Sequence, residues 1–219
     1  MRIKYIYLLI SIERLYGGYV SSRTQELIQY FKKHGGVLRF TDILKARFHP
    51  DSLSAIEKAG KVEKIARGLY RVVNYKPGSH PDLVIASLQT PKGAICLISA
   101  LSFHEVTNEI PKYVDIAIPQ GTHANRIKYP PVMFYRFAPK AWKAGLQEHE
   151  IEGYKIKIYN LAKTIVDCFK FRNRIGMSIA RDALKVGITE KKVEPKEIMK
   201  YAKICRVSSV IKPILEAMI

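Results

Sequence analysis

The strongest candidate for catalytic chemistry is Asp115, which lies in the alternating segment Tyr-Val-Asp-Ile-Ala-Ile-Pro. A magnesium-dependent nuclease would need a second acid and a lysine on the next strand, spaced Glu-x-Lys, to hold the metal ion. The nearest pair, Glu152 and Lys155, has the wrong spacing. We therefore interpret Asp115 as a polar residue on the solvent-facing side of a strand, or as an ion-pair partner of Arg126 or Arg136. A DNA-targeted, metal-dependent nuclease is the alternative.

The other chemistry-bearing residue types form no recognisable constellation in the sequence. The histidines are dispersed, and His104-Glu105 does not continue into the zinc-protease pattern His-Glu-x-x-His. Cys96, Cys168 and Cys205 lack zinc-ligand spacing and have apolar neighbours, which predicts small buried side chains and a reducing, cytoplasmic location. The sequence has no glycine-rich phosphate loop. It therefore predicts no catalytic residue, no metal and no cofactor.

A large cationic excess is the clearest chemical feature of the chain. Lysine and arginine number 37 against 19 acidic residues, which gives a formal charge of +18. Residues 1–75 contain 14 basic and 6 acidic residues, and residues 76–219 contain 23 and 13. This imbalance favours a polyanionic partner such as nucleic acid, and it does not confine that partner to one part of the chain.

The first cationic region has the element pattern of a winged helix over residues 23–75. Apolar spacing predicts helices over residues 23–34 and 41–46 and a third from Pro50 to Gly60. Alternating segments on both sides of the Arg67-Gly68 turn predict a β-hairpin. In this arrangement the third helix enters the DNA major groove and the hairpin, or wing, lies beside the phosphates.

Basic residues are concentrated on the predicted wing, as phosphate contact requires. They are Lys61, Lys64, Arg67 and Arg71. A protein–protein interaction module with the same elements is the alternative, and the basic wing argues against it.

Beyond residue 75 the pattern changes. Residues 76–81 are rich in proline, glycine and serine and are interpreted as a linker. Residues 82–219 alternate between helical and strand patterns, with mostly antiparallel strands and a helical tail. The sequence thus predicts an α+β protein: an N-terminal winged helix-turn-helix followed by a C-terminal mixed α/β domain.

Residues 1–22 are interpreted as an N-terminal extension. Their apolar run is too short for a transmembrane helix and lacks a signal-peptide cleavage site, so no membrane partner is expected. Residues 1–19 are alternatively the product of a mis-called start, with translation beginning at Val20. A genuine N-terminal strand or helix is the third possibility.

A second charged segment ends a predicted helix that Asn160 caps. Cations in a last turn complement the helix dipole, which is the structural interpretation. The functional interpretation is a charged surface for a partner or RNA. Its residues are Asp167, Lys170, Arg172 and Arg174.

Taken in order, several segments resemble AbiEi-type antitoxins, the transcriptional regulators of type IV toxin–antitoxin and phage-defence operons. They are HGGVLRFTDILKA, KVEKIARGLYRVVN, LISALSFHEVTNEIPKYVDIAIP, NLAKTIVDCFKFRNRIG and ARDALK. The resemblance spans about residues 24–190. It implies a winged helix that represses its own operon by binding promoter repeats in double-stranded DNA. It also implies a second, non-enzymatic domain that counters a co-encoded nucleotidyltransferase-like toxin, directly or indirectly.

The resemblance also assigns residues. It adds Tyr70 to the wing and places the antitoxin surface on the charged segment that ends at Arg174. One departure is the start of the third helix, where family members often carry basic residues and this chain has Asp51. Phosphate contact is then expected from the wing and Arg47, and base contact from His49, Ser52 and Ser54. A transcription regulator with a ligand-sensing or oligomerisation domain is the remaining alternative.

Overall fold

Two separate hydrophobic cores organise the chain, which divides after Ser79 into an N-terminal and a C-terminal unit. The computed structural model describes residues 22–76, 78–124, 126–191 and 193–218. Both units combine helices with β-sheet, so the predicted α+β class is confirmed. The predicted extension lies outside the described residues except for Ser22, and so does the proposed start at Val20.

The N-terminal unit contains the three helices and the antiparallel hairpin that the winged-helix prediction requires. Its elements are α1 (residues 22–33), β1 (Val37–Arg39), α2 (Phe40–Lys45), α3 (Pro50–Lys58), β2 (Val62–Ala66) and β3 (Leu69–Val72). Strand β1 was not predicted, because three residues are too few to show an alternating pattern. It pairs with β3 and gives a three-stranded antiparallel sheet in the order β1-β3-β2.

Apolar residues at helical spacing close the core of this unit. Leu27 and Phe31 lie four residues apart on α1 and are fully buried. Leu53 and Ile56 bury one face of α3 against the same core. Because α3 is held by that face, its N-terminal end at His49 stays at the surface, where DNA could reach it.

A close approach at Gly36 gives a first testable prediction. Gly36 has a φ of +74°, and a Cβ there would lie 2.3 Å from the ring of Tyr75. Replacing Gly36 by alanine is expected to cost about 2 kcal/mol, because the backbone is left-handed and the ring must move. The measurement is native-state hydrogen exchange of the β3 amides. Gly60→Ala is the control, since Gly60 has a φ of +65° and open space around it. An equal loss in both variants would contradict the steric explanation.

The C-terminal unit has eight helices and five strands among its described residues. Its elements are α4 (Pro81–Gln89), β4 (Ala94–Ile95), α5 (Leu97–Phe103), β5 (Val114–Pro119), β6 (Val132–Phe137), α6 (Pro139–Lys143), β7 (Leu146–Ile151), β8 (Tyr154–Tyr159), α7 (Leu161–Lys170), α8 (Arg172–Ile175), α9 (Met177–Thr189), α10 (Pro195–Cys205) and α11 (Ser208–Glu216).

The five-stranded sheet has the order β6-β5-β4-β8-β7. The expectation of mostly antiparallel strands was wrong, because two of its four strand pairs are parallel. The mixture arises at β4, which is antiparallel to β5 and parallel to β8. Strand β4 has only two residues, too short a segment for its pattern to predict a strand.

Helix α7 lies at the centre of the second core. Asn160 caps it, as predicted, by accepting a hydrogen bond from the Lys163 backbone N–H at 2.8 Å. Every residue from 162 to 169 is buried. Helices α9, α10 and α11 pack around α7 and form the predicted helical tail. The three cysteines are free and buried, which confirms the expectation of small buried side chains.

Candidate nucleic-acid interface

The start of α3 presents several polar side chains together. His49 caps the helix: its Nδ1 accepts a hydrogen bond from the Asp51 backbone N–H at 3.2 Å. His49 and Arg47 are exposed, and Ser52 and Ser54 are half-buried. Arg47 has a φ of 62°, so the chain turns sharply just before the helix. This end of α3 can donate and accept hydrogen bonds, as contact with base edges requires.

The wing extends from the same unit. The Gly68 carbonyl at its tip accepts a hydrogen bond from the Phe40 backbone N–H at 2.8 Å, which ties the turn to the start of α2. Lys61, Lys64 and Arg67 are exposed and form no ion pair with any described residue. Their charges are therefore available to a polyanion.

Arg71 differs from the other wing cations. It lies directly opposite Glu63 in the hairpin register, and its Nε and Nη2 donate to Glu63 Oε1 at 3.0 and 2.7 Å. This cross-strand pair satisfies the guanidinium within the wing. A phosphate would have to displace Glu63, so Arg71 contributes less to an anion surface than its sequence position suggests.

Tyr70 does not reach the wing surface. Its side chain is 9% exposed and belongs to the hydrophobic core of the N-terminal unit. The proposed DNA contact through Tyr70 was therefore wrong. The Tyr70 ring stabilises the hairpin from within the core. The Nζ of Lys64, on the neighbouring strand β2, lies 5.9 Å from the centroid of this ring.

Two further cations of the N-terminal unit are exposed and lie close in the sequence to Arg47 and Lys61. Lys45 and Lys58 are exposed in the last turns of α2 and α3. A lysine in a last turn also complements the helix dipole, so its position in the sequence carries no separate signal for DNA contact.

The charged segment of the C-terminal unit is not one surface. Asp167 is fully buried and paired with Lys163, which is also fully buried, so its assignment to a partner surface was wrong. Burial raises the pKa of Asp167 even beside this lysine. Arg172 is half-buried and donates to the Phe169 carbonyl, which complements the end of α7. Lys170 is half-buried and Arg174 is exposed.

Both interpretations of Asp115, as a solvent-facing strand residue and as an ion-pair partner of Arg126 or Arg136, were wrong. Asp115 is 6% exposed, so it does not lie on a solvent-facing side, and it forms no ion pair with any described residue. Its carboxyl accepts hydrogen bonds from the Ser99 backbone N–H and the Tyr135 hydroxyl. Burial raises the pKa of its carboxyl to about 6, although these hydrogen bonds oppose the shift. It lies at a pocket of about 550 Å³.

Among the described residues, no group of three or more histidine, cysteine, aspartate or glutamate side chains is arranged to hold a metal ion. None of the described helices combines the length and the apolar character needed to cross a bilayer.

The N-terminal unit is a small module with an exposed helix start and a cationic hairpin. Its sequence matches the model of a known protein family. Residues 25–73 match the family described as "Transcriptional regulator, AbiEi antitoxin". The predicted AbiEi resemblance is thereby confirmed for this segment, and its extension to residue 190 stays a prediction.

Beyond the AbiEi match, a solved structure shares the fold. The crystal structure of the RV2827C protein from Mycobacterium tuberculosis is similar with a TM-score of 0.59 and 10% sequence identity. The similarity covers 90% of this chain and 80% of that chain. The comparison with curated proteins finds no match. At this identity the structural similarity concerns the fold alone.

Proposed function

We propose that this protein is a non-enzymatic antitoxin and transcriptional autorepressor of a type IV toxin–antitoxin operon. Its N-terminal unit binds repeats in its own promoter, and its C-terminal unit counters a co-encoded nucleotidyltransferase-like toxin. The observation that carries the proposal is the exposed α3 start beside a wing whose Lys61, Lys64 and Arg67 form no ion pair with any described residue. Both elements lie on a segment that matches an antitoxin regulator family.

DNA binding divides between the two elements. The start of α3 enters the major groove, where His49, Ser52 and Ser54 contact base edges. The wing cations lie along the phosphates, with Lys64 and Arg67 contributing most because no described acid forms an ion pair with them. Asp51 at the first turn of α3 disfavours phosphate there, which leaves the backbone contacts to the wing and Arg47.

The wing assignment predicts a change in salt dependence. Replacing Lys64 and Arg67 together by alanine should reduce the slope of log affinity against log salt concentration by about two, since each phosphate contact contributes about 0.9. The measurement is fluorescence anisotropy with promoter DNA from the protein's own operon, over a series of salt concentrations.

The matched control is Lys32→Ala with Lys33→Ala, which removes the same charge from the exposed side of α1. It should leave the slope nearly unchanged, because long-range attraction alone does not release a bound counterion. Equal slopes for the two double variants would contradict the wing assignment.

The antitoxin part is tested by growth. Expression of the neighbouring nucleotidyltransferase-like gene should arrest cells, and co-expression of this protein should restore growth. The Lys64→Ala, Arg67→Ala variant should still restore growth while losing promoter repression, since the two activities belong to different units. A wild-type protein that represses its promoter but never restores growth would favour a plain transcription regulator.

A further inference from the structure

Strand β6 lies at one edge of the five-stranded sheet of the C-terminal unit. Among the described residues, β5 is the one strand that pairs with it. The Val114 backbone N–H donates to the Pro131 carbonyl at 2.8 Å, and the Gln120 N–H donates to the Phe137 carbonyl at the same distance. The odd-numbered residues of β6 therefore direct their peptide groups toward β5. The even-numbered residues direct theirs away from the sheet; they are Val132, Phe134 and Arg136.

The side chains of β6 alternate between two faces that differ in chemistry. On one face, Met133 and Tyr135 line the pocket of about 550 Å³ together with Ile110 and Tyr113. Ile110 is 88% exposed and Tyr113 is 48% exposed, so the rim of this pocket is apolar and accessible. Its charged residues are two cations and two acids: Lys112, Arg174, Glu109 and Asp115. On the other face Arg136 is exposed, so a strand beside β6 would meet an apolar surface on one side and a cation on the other.

Positive charge surrounds this edge of the sheet. Residues 116–147 contain five basic and no acidic residues. The basic residues are Arg126, Lys128, Arg136, Lys140 and Lys143. Cations along an edge strand oppose the pairing of two identical edges, because like charges would meet. The same cations attract a strand that carries acids.

The opposite edge of the sheet, strand β7, is a poorer occupant than an acidic partner would be. Its Glu148 and Glu150 lie directly opposite Lys157 and Lys155 on β8. The acids of β7 are therefore balanced by lysines of the same sheet. A second copy of this chain also carries a formal charge of +18, which opposes its approach.

The peptide groups of the β6 edge distinguish a protein partner from a nucleic acid. Both N–H donors and C=O acceptors point outward from the strand. A phosphate accepts hydrogen bonds, so it could bind the N–H groups but would leave the carbonyls without a donor. An extended peptide supplies donors and acceptors in alternation and adds to a free sheet edge as a further strand.

We propose that the β6 edge binds an extended acidic segment of another protein by strand addition. Acidic side chains of that segment lie beside Arg136, and its alternate, apolar side chains lie at the pocket lined by Met133 and Tyr135. This binding goes beyond the proposed function, because it uses a sheet edge of the C-terminal unit that promoter contact does not require.

The test is fluorescence anisotropy of the full-length protein with a labelled peptide of alternating glutamate and valine, in which one central valine is replaced by phenylalanine. This peptide should bind saturably. The same peptide with lysine for glutamate should not bind, since it carries the wrong charge. A peptide of the same composition with the acids grouped at one end should bind about tenfold more weakly, because it cannot present acids to one face and apolar groups to the other.

Two N-methylated forms of the alternating peptide test the backbone hydrogen bonds with the wild-type protein. One is methylated at every glutamate and the other at every apolar residue, so each loses the N–H donors of one strand edge. At least one form should bind about tenfold more weakly than the parent peptide. Unlabelled oligothymidylate of equal charge should displace the labelled peptide far less well than the unlabelled peptide does.

Variants of β6 locate the binding. Arg136→Ala should weaken peptide binding about threefold, because it removes one exposed charge. Arg136→Pro should weaken it about tenfold or more, because it also removes an outward N–H. Glu148→Pro is the matched control on β7, where the even-numbered residues also point outward, and it should leave binding nearly unchanged.

Four outcomes would overturn the proposal. They are no saturable binding of the alternating peptide, equal binding of the lysine peptide, unchanged binding of both N-methylated forms, and equal displacement by oligothymidylate. The last outcome would identify a general anion surface. A dimer of the protein alone that the peptide dissociates, detected by sedimentation velocity, would assign the edge to a second copy and would also overturn it.

Discussion

Replacement of Lys163 by alanine is expected to lower the free energy of unfolding of the C-terminal unit by about 3–5 kcal/mol. Lys163 and Asp167 are both fully buried and form an ion pair one turn apart on α7. The ammonium also lies 4.2 Å from the ring centroid of Tyr159 and 4.7 Å from that of Phe137. Without it, the donor that remains to Asp167 among the described residues is the weak Cys205 Sγ at 3.5 Å, and the acid is left buried without its cation.

Urea unfolding followed by the fluorescence of Trp142, the only tryptophan of the chain, measures this effect. Lys212→Ala is the control, because it breaks a pair of the same spacing with Glu216 that is 64% exposed on both sides. That loss should be at most about 0.5 kcal/mol. A double replacement, Lys163→Met with Asp167→Leu, should be far closer to wild type than Lys163→Ala, since no charge is left unpaired. Similar losses in the two single variants would refute the buried-pair argument.

The second large effect is a gain in stability. Asp115→Asn is expected to raise the free energy of unfolding by about 3 kcal/mol at pH 7.5 and by almost nothing near pH 4. Burial raises the pKa of the folded carboxyl from 3.8 to about 6. Between these values the folded chain binds more protons than the unfolded chain. Wild-type stability therefore falls as the pH rises through this window and then stays constant, whereas asparagine does not titrate.

The measurement is urea unfolding of the wild-type protein and the Asp115→Asn variant at a series of pH values. The quantity compared is the difference between their free energies of unfolding at each pH. Asp182→Asn is the matched control, because Asp182 is exposed on α9 and its replacement should leave the difference near zero at every pH. A difference for Asp115→Asn that did not change between pH 4 and pH 7.5 would show that the carboxyl is not desolvated. A residue that reduces stability at neutral pH while it lines a pocket has the profile of a binding residue.

Local signals in the sequence predicted much of the fold. Strand β6 has a local signal in the sequence, because two prolines directly precede its run of apolar and aromatic residues. The β7–β8 hairpin has another local signal in Gly153 at its turn, where φ is 79°. The cap at Asn160 was predicted from one side chain of suitable chemistry. Each of these features depends on residues close together in the chain.

The sites required information that the sequence does not carry locally. Asp167 stands among cations, which suggests an exposed segment, yet α10 places Cys205 against it. Glu63 precedes Arg71 by eight residues, and only the hairpin register makes them opposite. The surroundings of the Asp115 carboxyl depend on Ser99 and Tyr135, which lie on different elements from Asp115. Tertiary packing decided these outcomes, and no periodicity in the sequence could have anticipated it.

The position of β4 at the centre of the larger sheet has a consequence for synthesis on the ribosome. The nascent chain completes the sheet of the N-terminal unit once Val72 has emerged. The larger sheet must wait, because Ile95 cannot find its parallel neighbour Ile158 until some sixty further residues have been translated. The N-terminal unit can therefore acquire its structure while the remainder is still being made. Under the proposed function, repression would then begin to develop before the capacity to restrain a toxin.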